Sequence, residues 1–219
     1  MITIRPGTSP LAPAALRPSI PPGLAAFGAS SRLSLSPLRW TARMSPTAAS
    51  VAQDVALSAL LGGNLFGRVA MHPALAKVSD PSERGKVLNS AWRRYGTVNS
   101  IALVGLIAGW IPQRRDELGA FGIRRRDRSL VLAKDVTVGA VVVTGIASAI
   151  GGIGFAREAP EAAVPMATGR DPAPETPTRA ARMKRTVNVL ARLNLVAELA
   201  LLGTSAALAQ ARSRRLLRR

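Results

Sequence analysis

The chain has 219 residues, 47% hydrophobic and 4% aromatic, with a formal net charge of +18 and no cysteine. That length allows one compact domain plus a tail, and the lack of cysteine excludes disulfides, thiolate metal ligands, iron–sulfur ligation and a cysteine nucleophile. The charge does not point to nucleic acid, because nearly all of it is Arg placed between and beyond apolar segments, where lipid phosphates are the nearest anions.

Residues 1–46 form a tail rich in Pro and Ser, with Arg5, Arg17, Arg32, Arg39 and Arg43 and no acid before Asp54. The composition is that of a transit peptide, but the Pro density forbids the amphipathic helix such a peptide needs. The expected reading is a disordered, dispensable tail, with Met44 as an alternative start. Ser45-Pro46 is a helix-start signal.

Four apolar segments follow, at about 48–70, 97–112 (ended by Pro112), 133–156 and 187–210. The third contains 136–156, twenty-one residues without a charge. At about 1.5 Å of rise per residue it matches the roughly 30 Å hydrocarbon core of a bilayer. The other three are shorter or carry charges, and three spans is the alternative count. The expected fold is therefore all-α, an integral membrane four-helix bundle over 47–212, followed by a basic tail at 213–219.

Between the first two spans, Asp80-Pro81-Ser82-Glu83 has the form of a helix start. The helix it opens carries Val87, Leu88, Ala91, Trp92 and Tyr95 on one face, as a separate amphipathic helix or as an extension of span two. Residues 113–132 read as a short basic loop. Residues 157–181, with five Pro and four acids, read as a flexible one. Four spans put both termini on the side of the 113–135 loop. Lys and Arg number seventeen there against twelve opposite, which favours cytoplasmic termini in a multi-pass cell-membrane protein.

Polar residues inside the spans are the candidate site. On a helical wheel Asp54, Ser58, Asn64, Arg68 and His72 share one side of the first helix. Gly63 and Gly67 form a GxxxG pair on the other, suited to close helix approach. In the fourth span Asn194 and Glu198 share a face, and a mid-span Glu must be neutral or partnered. A cross-helix partner suits it better than Arg192. The candidates are thus Glu198, Asn194, Asn64, Arg68 and Asp54. In the third span Ala140, Thr144, Ser148 and Gly152, in steps of four, read as a packing ridge. His72 is the only His, so no metal or haem site is expected, and no cofactor; the glycines of 151–154 lie within a span and make no nucleotide loop.

The run Gly62-Gly63-Asn64-Leu65-Phe66-Gly67, then His72-Pro73-Ala74-Leu75, Trp92 and Asn99, resembles small four-helix bacterial membrane families grouped with anthrone oxygenase-like and DoxX-like proteins. The similarity covers roughly 50–110 and implies a four-helix membrane bundle; no catalytic residue is carried over from it. Two function classes follow. One is a non-catalytic or accessory membrane component, whose partners are the bilayer, a second copy or another membrane protein. The other is a small transporter or membrane-embedded oxidoreductase-like enzyme using Glu198, Asn194, Asn64 and Arg68. Convergence of those four side chains on one cavity separates the two.

Overall fold

The computed structural model describes residues 44–120 and 125–217, and these are helical apart from the connections. Helix α1 (Pro46–Phe66) runs into a π-helical turn (Gly67–Met71) and a short α2 (His72–Leu75). Then come α3 (Pro81–Ala120), α4 (Arg125–Ala156) and α5 (Thr178–Leu216). The expected tail lies almost wholly outside the described residues.

Both helix starts read from sequence are present. Ser45 accepts from the Ala48 N–H at 3.2 Å, with Pro46 in the first turn. Asp80 accepts from the Ser82 N–H at 2.9 Å. Each satisfies a donor that the helix itself leaves unpaired. Two expected boundaries are wrong. Pro112 does not end the second segment but sits inside α3, which runs unbroken from Pro81 and absorbs the amphipathic stretch before it. Much of the supposed basic loop at 113–132 is likewise the end of α3 and the start of α4.

The four long helices alternate in direction. Gln53 of α1 meets Ser205 of α5, whereas Asn64 meets Glu198. Tyr95 of α3 meets Ala59, whereas Gln113 meets Ala49. Their common core holds Leu57 and Leu60 of α1, Leu106 of α3, Val141 of α4 and Leu201 of α5. Glycine sets the closest approach of α1 and α3. A Cβ on Gly63 would strike the Tyr95 ring, one on Gly67 would meet Trp92, and one on Gly109 would lie 2.5 Å from the Ala49 carbonyl. Of the small-residue ridge on α4, Ala140 packs on the core and Thr144 bonds to α5, while Gly152 faces open space.

The outside of the bundle is rich in large apolar side chains. Val55, Ile101, Val104, Val143, Ile150, Val196 and Leu202 are all exposed. Three helical stretches, Pro81–Glu117, Arg128–Ala156 and Thr178–Ala211, are long and apolar enough to cross a membrane, and only 17 to 22% of their apolar windows is buried in the protein. An exposed apolar surface this extensive needs a lipid or protein cover. The first helix falls short of the other three because Gln53, Asp54 and Asn64 interrupt it.

The connector between α4 and α5 is folded, contrary to the expectation of a flexible loop. Val164 and Met166 are buried in a second apolar cluster with Leu75, Leu88, Phe155 and Ala180. The Met166 N–H bonds to the Pro81 carbonyl at 3.0 Å, and Met166 and Pro172 pair as an isolated β-bridge. Arg84 fastens it, donating to the carbonyls of Val78 (2.6 Å), Met166 (3.1 Å) and Ala167 (2.7 Å). Gly85 lets it come close, since a Cβ there would stand 1.9 Å from the Val164 oxygen. Glu161 and Ala162 take left-handed conformations, with φ of 54° and 59°, which cost energy in non-glycine residues. They are held by Asn89, which bonds to the Ala162 carbonyl at 2.8 Å, and by Lys86, which pairs with Glu161 at 2.8 Å.

Candidate functional site

Glu198 is 0% exposed at the middle of the bundle. Asn194, one turn earlier on α5, donates its Nδ2 to Glu198 Oε1 at 2.6 Å. Asn64 of α1 donates its Nδ2 to both oxygens, at 2.8 and 3.0 Å. Thr144 of α4 reaches Asn194 Oδ1 at 2.7 Å and the Ala140 carbonyl at 2.6 Å, and its single hydroxyl proton serves one of them at a time. Every contact at Glu198 is a donor aimed at oxygen, which is what an ionised carboxylate requires. Hydrogen bonds to a charged group contribute about 1.5–3 kcal/mol each, so the amides offset much of the cost of burying the charge. No Lys or Arg nitrogen lies within ion-pair distance of Glu198 among the described residues.

Asn64 also lines a cavity of about 40 Å³ on the side of the α4–α5 connector. Arg68 of the π-helical turn, His72, Trp92, Arg170 of the connector, and Asn188 and Arg192 of α5 line it too. Asn188 holds the connector in place by donating to the Arg170 carbonyl at 2.9 Å. The His72 ring stands edge-on to Trp92, centroids 6.4 Å apart, and neither buried ring nitrogen has a hydrogen-bond partner. Burial, then the charges of Lys184, Arg170 and Arg68, hold the His72 imidazole down at about 4, so it is neutral near pH 7.

Four of the five sequence candidates therefore meet. Glu198, Asn194 and Asn64 form one hydrogen-bonded chain, and Arg68 shares the adjoining cavity with Asn64. Asp54 does not join them. It is exposed, almost three turns back along α1, on a surface that its nominal wheel position did not separate from that of Asn64.

A second buried polar cluster at the opposite end of the bundle was missed. Lys134 and Glu117 are 2% and 3% exposed and pair at 2.9 Å. Lys134 also donates to Gln113 Oε1 at 2.9 Å, and Gln113 donates to the Ala49 carbonyl at 3.1 Å. Next to it Asp135 accepts from Trp110 Nε1 at 2.9 Å and Arg114 Nε at 2.7 Å. By sequence, Gln113, Arg114 and Glu117 fall in the basic loop, and Lys134 and Asp135 at the start of the third span. The available signal was periodicity: Trp110, Gln113, Arg114 and Glu117 recur at helical spacing straight through Pro112.

Among the described residues no cluster of three or more His, Asp or Glu is placed to hold a metal ion. The chain matches no family model, and neither a curated protein nor a solved structure is similar to it.

Proposed function

We propose that the chain is an integral membrane protein of four spans, α1 included, that handles a charged solute or proton at the Asn64–Glu198–Asn194 network and the adjoining Arg68. The observation that carries this is convergence: polar side chains from separate helices meet at one buried carboxylate beside a cavity. A buried carboxylate in a bundle whose outside is apolar is costly to keep and is a functional site by default. The transporter is the alternative this arrangement supports, because a buried carboxylate among helices is where membrane proteins handle protons and ions. The bilayer is the first partner, with a second copy or another membrane protein beside it and no nucleic acid. The termini face the cytoplasm of a cell-membrane protein.

One observation favours the accessory, non-catalytic reading. Glu198 is fully enclosed with donors on both oxygens, as a fastener between helices would be. Glu198→Gln separates the two. A flip of Asn64 would let its Oδ1 accept from the new amide while Asn194 still donates to Oε1, so this variant should melt like the parent. On the transport reading it fails to complement a deletion strain, because an amide carries no exchangeable charge. If it complements fully and only Glu198→Leu is impaired, the network is a fastener and the transport reading is wrong.

A further inference from the structure

The lining of the cavity holds three arginines and no acid. Arg68, Arg170 and Arg192 come from the π-helical turn, the connector and α5, and all three border the same 40 Å³. Among the described residues, none of their guanidinium groups donates a hydrogen bond or joins an ion pair. Arg68 is repelled by both other guanidinium groups, and the acid that offsets this is Glu198, itself engaged by two amides. Three like charges gathered from distant points of the chain repel one another, and the folded connector that brings Arg170 in is fastened by Arg84 and Asn188. His72, both of whose ring nitrogens are buried without a hydrogen-bond partner, lines the same cavity.

We infer that this cavity is a binding site for an oxyanion, specifically a phosphate group, held by Arg68, Arg170 and Arg192. Planar guanidinium groups present paired donors that match phosphate oxygens, and an anion would remove their mutual repulsion. Size sets the class. A water needs about 10–15 Å³ of such space, so 40 Å³ takes one compact group of a few heavy atoms. The phosphate has two possible sources, a free ion or the headgroup of an anionic phospholipid. Trp92 also lines an apolar groove of about 390 Å³ bounded by Gly63, Phe66, Met71 and Val98, which gives a lipid chain a place to lie. The site names the ligand of the proposed transport centre and so rests on that reading, but it is read out by binding and stands apart from what Glu198→Gln does in complementation.

The test uses the purified full chain, delipidated in a neutral detergent. Its thermal midpoint is followed against inorganic phosphate, with chloride at equal ionic strength as control. A second titration adds phosphatidylglycerol or phosphatidylcholine in mixed micelles. The expected result is a saturable rise in midpoint with phosphate or with phosphatidylglycerol. Arg170→Gln and Arg192→Gln should each weaken it at least about tenfold, since each removes a charge-assisted contact. Both variants report their own folding through the same melt, and Arg68→Gln replaces either one that does not melt cooperatively. A response to inorganic phosphate identifies a free anion; a response to phosphatidylglycerol alone identifies a lipid headgroup. No saturable response to either probe, or a response undiminished in the folded variants, overturns the site.

Discussion

Replacing Lys134 by Met keeps the length of the side chain and removes its charge. The ammonium group is 2% exposed and donates to Glu117 and Gln113 at 2.9 Å each. Its removal leaves the carboxylate of Glu117, 3% exposed, without this partner, and the Gln113 oxygen without its donor. Breaking a buried pair from one side costs about 3–5 kcal/mol. Glu117→Gln leaves the buried ammonium without its counter-charge and should cost a comparable amount, although the amide can still accept from Lys134. In the double variant the two costs should not add, with a coupling energy above about 1 kcal/mol. Unfolding of the detergent-solubilised protein by sodium dodecyl sulfate, followed by circular dichroism, measures each free energy. A Lys134→Met variant within about 1 kcal/mol of the parent, against the 3–5 expected, would refute the reasoning and mean that water reaches this end of the bundle.

His72 predicts a pH dependence. Its folded value, about 4, lies below the ordinary 6.5, so the unfolded chain binds more protons between these pH values. The stability it contributes is complete above 6.5 and is lost as pH falls toward 4; thermal melts should show this loss, and His72→Gln should reduce it. An unchanged acid limb in that variant would remove His72 as the cause. For topology, reporter fusions within residues 112–128 and at the C-terminus should both score as cytoplasmic, and a periplasmic score at either would invert or break the four-span arrangement.

Local chemistry was readable from sequence where it acts locally. Ser45-Pro46 and Asp80-Pro81 mark helix starts through hydrogen bonds to residues two or three positions away. Asn194 and Glu198 share a face because a helix makes them neighbours. The glycine pair at 63 and 67 announced a close approach, though not that Tyr95 and Trp92 fill the gaps. What was illegible depends on distant partners. Val164 and Met166 show no period, and their burial comes from α3, through Gly85 and the Pro81 carbonyl. Lys134 looked like a charge flanking the third span because the Glu and Gln that accept from it stand seventeen and twenty-one residues earlier, across the bundle. Pro112 misled because a proline that breaks an isolated helix is tolerated where neighbouring helices support the chain.

The π-helical turn at Gly67–Met71 makes spacing, as well as residue identity, part of the site. The His72 N–H reaches back five residues to the Gly67 carbonyl, so the chain holds one residue more here than an α-helix would. Losing that residue would close the wide turn into an ordinary α-turn, leaving the flanking helices in nearly their present relation but shifting the residues of the turn itself, Arg68 among them. Val69 and Ala70, exposed on the outer side, are therefore open to substitution by other apolar residues yet not to deletion. In this part of the site the number of positions between Asn64 and His72 matters as much as the residues that fill them.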